Sequence, residues 1–377
     1  MSEYQYIAFQ AIDAPVSESQ LQFMRGQSTR AKVTPWTFEN TYDFGDFHGN
    51  ATEMLRRGYD FHFHFANFGQ RTLMIRLPAG LPNSATAAAY LNNGSPEYVK
   101  DPDGPGGVLV IDPCIESGEM DDLHDPARFL DRLLPLRAEI INGDLRPLYL
   151  AHLAVASDGN HDPDSLREAP VPAGLDALTR AQRALAELYC LDDAMIAVAA
   201  QTSPPMPKHS QPHEHLAQWL RSQPDDAKVA WLSELVADPH APIRINILAE
   251  YQKHCPAPTW PTVPPTRTIS EIQALAQTIR NEHARKDAQT AARRRAADLA
   301  RIAANPAETC AKVEQLIKEK NIDAYRAAVV LLADLRSALA NTQQSGLAEQ
   351  YALKIKERNP RINRLTAELR RHGFLAK

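Results

Sequence analysis

Three side chains able to ligate a metal ion recur at every second residue of one predicted β-strand. Residues 59–66 and 71–77 alternate between apolar and polar positions on either side of a short turn, and this pattern predicts a hairpin. Alternation places Asp60, His62 and His64 on one face of the strand and phenylalanines on the other. Carboxylate and imidazole groups ligate zinc, manganese and iron. No ligand from a second element can be identified, so two interpretations stay open: a metal site, or the half-exposed polar face of a hairpin whose other face is core.

A longer series of short motifs points to a metal-dependent phosphoesterase. It resembles the signature series of calcineurin-like metallophosphoesterases, in which two metal ions activate water and hold the phosphate. In chain order the motifs are Asp60-x-His62, Gly143-Asp144, Gly159-Asn160-His161-Asp162 and His213-x-His215. In that family each motif follows a β-strand, whereas here the second motif lies between predicted helices and the third follows a helix. This function is therefore the least favoured alternative, and neither a metal nor another cofactor is predicted.

The best clue to function is a group of cationic side chains in one long helix, predicted over residues 269–304. The cations are Arg285, Lys286, Arg293, Arg294, Arg295 and Arg301, and only Asp287 and Asp298 oppose them in this stretch. Positions seven residues apart lie on one helix face, so these side chains form a stripe. Such a stripe can neutralise phosphates without reading sequence, bind an acidic protein, or simply face solvent. No aromatic residue lies between Trp260 and Tyr325, so stacking on single-stranded bases is not expected.

Signatures of several other enzyme classes are missing from the sequence. The four cysteines are far apart, at positions 114, 190, 255 and 310, so no CxxC pair or zinc-ribbon spacing occurs. The chain has no phosphate-binding loop with a following Lys-Ser or Lys-Thr, and it has no G-x-S-x-G nucleophile motif. These absences favour a protein that is not an enzyme.

The same sequence predicts a cytoplasmic protein that does not contact membranes. Its first residues, MSEYQYIAFQ, have neither the basic nor the apolar region of a secretory signal. No apolar run reaches the length of a transmembrane helix. The low cysteine count fits a reducing compartment.

The distribution of charge divides the chain. All 377 residues together carry a net charge of −5, and a composition of 44% hydrophobic and 23% charged residues excludes wholesale disorder. Residues 266–377 carry 21 Lys and Arg against 12 Asp and Glu, whereas residues 1–265 carry 20 against 34. An acidic body therefore precedes a basic module, and five prolines within residues 256–265 predict a semi-rigid linker between them.

The predicted fold class is α+β. A mixed α/β-sheet domain spans residues 1–125 and is followed by a helical domain over 126–255, the proline-rich linker 256–268 and a basic helical-hairpin domain over 269–377. Short polar connections between the last helices predict antiparallel neighbours, as in tetratricopeptide architecture. The helix near 322–340 carries an apolar stripe formed by Tyr325, Val329, Leu332, Leu335 and Leu339.

Four segments carry a resemblance to known proteins. They are EYQYIAFQAIDAPVSESQL (3–21), MIRLP (74–78), LDDAMIAVAAQTSPP (191–205) and AYRAAVVLLADLRSAL (324–339). They resemble a family of bacterial proteins without an assigned activity, so the resemblance implies no catalytic residue and no cofactor. The C-terminal helices also resemble the tail that follows SWIM-type zinc fingers. The cysteines of that finger are absent here, so this likeness implies a helical interaction module.

Together these observations predict a non-catalytic scaffold or adaptor subunit of a bacterial protein complex. Its basic C-terminal helical module would bind a protein partner. The alternative is a nucleic-acid-binding component of a larger complex, using the same stripe of cations. A metal-dependent phosphoesterase is the third interpretation.

Overall fold

The computed structural model describes residues 4–91, 95–113, 125–157, 162–206, 212–238, 241, 243–255 and 259–376. The chain divides into two compact units, Met1–Ile279 and Arg280–Lys377. No helix in the described ranges is both long and apolar enough to cross a membrane.

An antiparallel sheet of seven strands forms the beginning of the first unit. Its strands are β1 (Gln5–Gln10), β2 (Lys32–Val33), β3 (Thr37–Tyr42), β4 (Phe61–Ala66), β5 (Arg71–Leu77), β6 (Glu97–Lys100) and β7 (Gly107–Ile111). They lie in the order β2-β3-β1-β4-β5-β7-β6. β4 and β5 pair directly, with Phe65 opposite Arg71, so the predicted hairpin is confirmed. β1 pairs with the other edge of β4, which makes β4 a central strand.

Helices supply most of the rest of the first unit. They are α1 (Glu18–Gly26), α2 (Ala51–Arg56), α3 (Ser84–Ala87), α4 (Pro126–Leu133), α5 (Pro135–Ile141), α6 (Arg146–Ala156), α7 (Arg180–Leu188), α8 (Asp193–Ala200), α9 (Pro212–Ser222), α10 (Asp225–Ala237) and α11 (Ile243–His254). Local sequence sets several of their starts. The Asp125 side chain accepts a hydrogen bond from the backbone N–H of Arg128, and Thr179 with Gln182 forms a capping box on α7.

Both faces of the sheet are covered by helices. Phe61, Phe63 and Phe65 pack into one core with α4 to α8, and every residue of α6 is buried there. On the other face, Ile7 and Phe9 pack with residues of α1 and α2. The expectation of a half-exposed polar face on β4 is therefore wrong, because α1 and α2 cover the face that carries His62.

The packing of the first unit differs from the predicted division at residue 125. The helices after this point share a single hydrophobic core with the sheet, and that core extends to Ile269, Ile272 and Ala276 at the start of the next helix. The apolar faces of these helices and of β4 are buried against each other. Sequence periodicity identifies such faces but not their partners. The acidic segment ESGEMDDLH, residues 116–124, lies outside the described residues.

The proline-rich segment predicted as a linker packs against the first unit. A short strand, β9 (Thr262–Val263), pairs with β8 (Val171–Pro172). Two hydrogen bonds of 2.8 and 2.9 Å join the Arg267 guanidinium to the buried carboxylate of Glu168. The indole N–H of Trp260 donates to the carbonyl of Ala173 at 3.2 Å. The contacts of β9, Trp260 and Arg267 therefore attach residues 259–268 to the rest of the first unit.

Five helices complete the chain: α12 (Ile269–Ala304), α13 (Pro306–Lys318), α14 (Ile322–Leu339), α15 (Leu347–Arg358) and α16 (Asn363–Arg371). In the second unit α14 packs against α13, α15 and α16. Its predicted stripe, from Tyr325 to Leu339, is buried in the core of this unit. The fold class is confirmed as α+β, with an N-terminal sheet followed by a mainly helical body. The likeness to tetratricopeptide architecture stays a prediction.

Candidate functional site

Asp60, the first residue of the candidate metal-ligating set, lies in a network of buried ion pairs. Its Oδ1 accepts hydrogen bonds from Arg76 at 2.6 Å and from Arg137 at 3.1 Å. Its Oδ2 accepts from the backbone N–H groups of Ile12 and Asp13 at 2.7 and 3.0 Å. Both oxygens are therefore occupied by partners within the protein. The carboxylate connects the ends of β1, β4 and β5 to α5, which is a structural role.

His62 and His64 lie beside this network as neutral side chains. The His62 ring stacks on Phe9 with 4.1 Å between centroids, and its Nδ1 donates to the carbonyl of Ala8 at 3.1 Å. Burial, followed by the neighbouring His64, lowers the pKa of His62 from 6.5 to about 3. Burial also lowers the pKa of His64 to about 4, and its Nε2 lies 2.9 Å from Oε1 of Gln5. Each ring therefore has a hydrogen-bond partner within the protein, and the His62 ring is also stacked on Phe9.

The motifs of the phosphoesterase series do not assemble in the described part of the chain. Among the described residues, no group of three or more His, Cys, Asp or Glu side chains is arranged to hold a metal ion. Asp144, from the second motif, is bound by Arg146 at 2.7 Å and by Gln182 at 2.9 Å. Residues 159–161 lie outside the described ranges, as do the side chains of His213 and His215.

Acid is expected to destabilise the first unit through the two strand histidines. Their pKa values are lower in the folded protein than the ordinary 6.5, so below that pH the unfolded chain binds protons that the folded protein does not. Their contribution to stability is complete above about pH 6.5. It is lost as the pH falls toward the folded values, at up to about 1.4 kcal/mol per pH unit for each histidine.

Urea unfolding at about pH 7 and about pH 5 measures this loss. His64→Gln removes the titrating ring and retains a hydrogen bond to Gln5. The decrease in the free energy of unfolding between about pH 7 and about pH 5 should therefore be smaller than in the wild type by about 1 kcal/mol or more. His48 is exposed and provides the matched control, because His48→Gln should leave the loss unchanged. A loss in His64→Gln as large as that of the wild type would contradict the assignment.

The six cations predicted as a stripe all lie on a part of α12 that is exposed to solvent. Every residue from 281 to 298 is exposed, so this part of the helix has no buried face. Alanines are frequent in it and have the highest helix propensity, which sustains a helix without core contacts. At 3.6 residues per turn, Lys286, Arg293, Arg294 and Arg301 lie within an arc of about 100° and extend over about 22 Å. These four side chains are called the basic face below; Arg285 lies about 100° from Lys286 around the helix, outside this face.

Two of the six cations form ion pairs within the protein, and four do not pair with any described residue. Arg295 lies about 100° away from Arg294 around the helix, outside the basic face, and is bound by Asp334 of α14. Arg301 pairs with Asp298 at 3.3 Å, with both side chains exposed. The remaining four, Arg285, Lys286, Arg293 and Arg294, make no ion pair or hydrogen bond with any residue that the structure describes.

Sequence reasoning missed the network around Asp60. Arg137 is 77 residues from Asp60 and 124 residues from Asp13, its other carboxylate partner. The one local signal was that Asp60 and Arg76 occupy facing ends of the predicted hairpin. No family model, curated protein or solved structure matches this chain.

Proposed function

We propose that this protein is a non-catalytic scaffold or adaptor that binds an acidic surface of a partner protein through the basic face of α12. One observation carries the proposal: four cations without a partner among the described residues lie on a helix segment that is exposed on every side. Adjacent like charges repel one another, and an acidic surface laid along the helix relieves that repulsion.

The spacing of the cations favours a helical partner. Lys286 and Arg293 are seven residues apart, as are Arg294 and Arg301, and seven residues of helix span about 10 Å. A partner helix with carboxylates at the same heptad repeat meets both pairs, as charged residues do along coiled coils.

The contacts of the predicted ligand side chains support a role without metal-dependent catalysis. Both oxygens of Asp60 are used by arginines and backbone N–H groups, and Asp144 is held by Arg146 and Gln182. Cys190, Cys255 and Cys310 are free thiols, which fits the reducing cytoplasm of the bacterial host that the family resemblance implies.

Nucleic-acid binding is the second candidate, because each of the four cations of the basic face can neutralise one phosphate. Four such contacts predict that the logarithm of the affinity falls with the logarithm of salt concentration with a slope of about −3 to −4. The helix has no aromatic residue to stack on bases, so contact would be to the backbone alone.

Affinity purification of the full-length protein at native expression tests the proposal. A retained protein partner that survives nuclease treatment and disappears when the basic face is neutralised supports it. Retention that nuclease abolishes favours the second candidate. Absence of any partner that depends on the basic face contradicts both.

A further inference from the structure

A large cavity in the first unit is separate from the basic face. It has a volume of about 880 Å³, within the range of small-molecule sites, and it lies between the end of β1, helix α5 and helices α9 to α11. Aliphatic side chains form most of its wall, including Ile12, Ile141, Leu216, Leu220, Ile247 and Leu248. The wall therefore suits an alkyl chain.

Two arginines interrupt this apolar wall. Among the described residues that line the cavity, Arg137 and Arg244 are the charged ones, and no carboxylate lines it. The Arg137 side chain is 3% exposed; its Nε and Nη2 donate within the protein, and its Nη1 donates to no described residue. Arg244 is 62% exposed and gives one hydrogen bond, to Asp13 at 3.0 Å. Donors therefore remain free on both side chains.

The charge around these arginines is unbalanced. The connected ion pairs contain the carboxylates of Asp13 and Asp60 and the guanidinium groups of Arg76, Arg137 and Arg244. Among the described residues, this network therefore carries two negative and three positive charges, a net charge of +1. A ligand with a single negative charge balances the network, and a planar carboxylate matches the geometry of guanidinium donors.

A second groove extends the cavity toward the surface. It shares Leu220, Leu235, Ile243 and Ile247 with the cavity wall and continues to Trp231 and Leu232. Arg221 and Lys228 also line this groove, and Lys228 is paired with Asp225 at 3.1 Å. Leu232 is exposed, and α10 has no buried side chain, so this groove is a route by which an alkyl chain can enter or extend.

We propose that this cavity binds a long-chain carboxylate, with the head group at Arg137 and Arg244 and the alkyl chain along the aliphatic wall. The charge balance selects the carboxylate over the corresponding alcohol, and the aliphatic wall selects an apolar chain. This site is independent of the partner-binding role proposed for α12.

Equilibrium dialysis of the full-length protein against dodecanoate, with dodecanol as the uncharged match, tests the inference. We expect saturable binding of one dodecanoate at least about tenfold tighter than that of dodecanol. Arg244→Gln should weaken dodecanoate binding about tenfold and leave dodecanol binding unchanged. Ala138 is an exposed helix position on the cavity wall beside Arg137, so Ala138→Trp should place an indole ring in the cavity without disturbing the core and weaken binding of both ligands.

The control lies on the exposed face of α10. Val236 is 83% exposed and does not line the cavity, so Val236→Ser should change neither affinity. Circular dichroism and thermal unfolding verify that each variant is folded. The proposal is overturned by any one of four results: no saturable binding by the wild type, equal affinities for acid and alcohol, no effect of Arg244→Gln, or loss of binding in Val236→Ser with retention in Ala138→Trp.

Discussion

Replacing Asp60 with alanine is expected to lower the free energy of unfolding by about 3–5 kcal/mol. The carboxylate is completely buried and holds Arg76, Arg137 and two backbone N–H groups at the end of β1. Its removal leaves Arg137, itself buried, with Asp13 as its remaining carboxylate partner, and leaves two partly buried backbone amides without this acceptor. Loss of a buried charge partner is among the few single changes with so large an effect.

Arg244→Ala is the matched control for this prediction. Arg244 belongs to the same network, but its side chain is 62% exposed, and Asp13 keeps its contact with Arg137 when Arg244 is removed. We therefore expect a change of less than about 1 kcal/mol. Urea unfolding near neutral pH measures both variants. An Asp60→Ala protein as stable as Arg244→Ala would show that the network does not hold these strands and α5 together.

Neutralising Lys286, Arg293 and Arg294 together by alanine is expected to weaken partner binding roughly tenfold. Each exposed charge pair contributes about 0.2–1 kcal/mol, and three of them add to a loss of this order. The fold should be unaffected, because the three side chains are exposed and alanine has the highest helix propensity. Quantitative mass spectrometry of proteins retained by the full-length variant and by the wild type gives the measurement.

Net charge alone also affects association, so a control must remove the same three charges elsewhere. Lys354, Arg361 and Arg364 are exposed residues of the second unit that lie outside the basic face. Their triple replacement by alanine should leave partner retention unchanged. If both triple variants lose the partner equally, the effect is due to net charge. If both retain the partner as the wild type does, the basic face does not bind it.

Local sequence patterns predicted the helices and strands of this fold, but they did not predict which elements pack against each other. Alternation over residues 59–77 gave the hairpin, and helical periodicity gave the buried stripe of α14, because both patterns are set by neighbours in sequence. The burial of His62 did not follow from alternation, since its cover comes from α1 and α2. Arg267 and Glu168 are 99 residues apart in sequence, and no local pattern in a proline-rich segment predicts their contact.

The candidate sites show the same limit. Composition located the cations of α12, and their exposure follows from a stretch that has almost no large apolar side chain. Arg295 is not available to a partner because it is paired with Asp334, which is 39 residues away on another helix. The cavity wall gathers residues from β1 to α11, so no single motif could have predicted it.

Site-specific photocrosslinking in the native host tests the central claim, that the basic face is the surface that contacts a protein partner. Ala297 and Ala288 are both exposed on α12 and are nine residues apart, so they lie on opposite sides of the helix. Ala297 lies between the cations of the basic face. A photoreactive phenylalanine analogue at position 297 should form a protein adduct that resists nuclease, and the same group at position 288 should not. Equal adducts at both positions, or none at position 297, would contradict the claim.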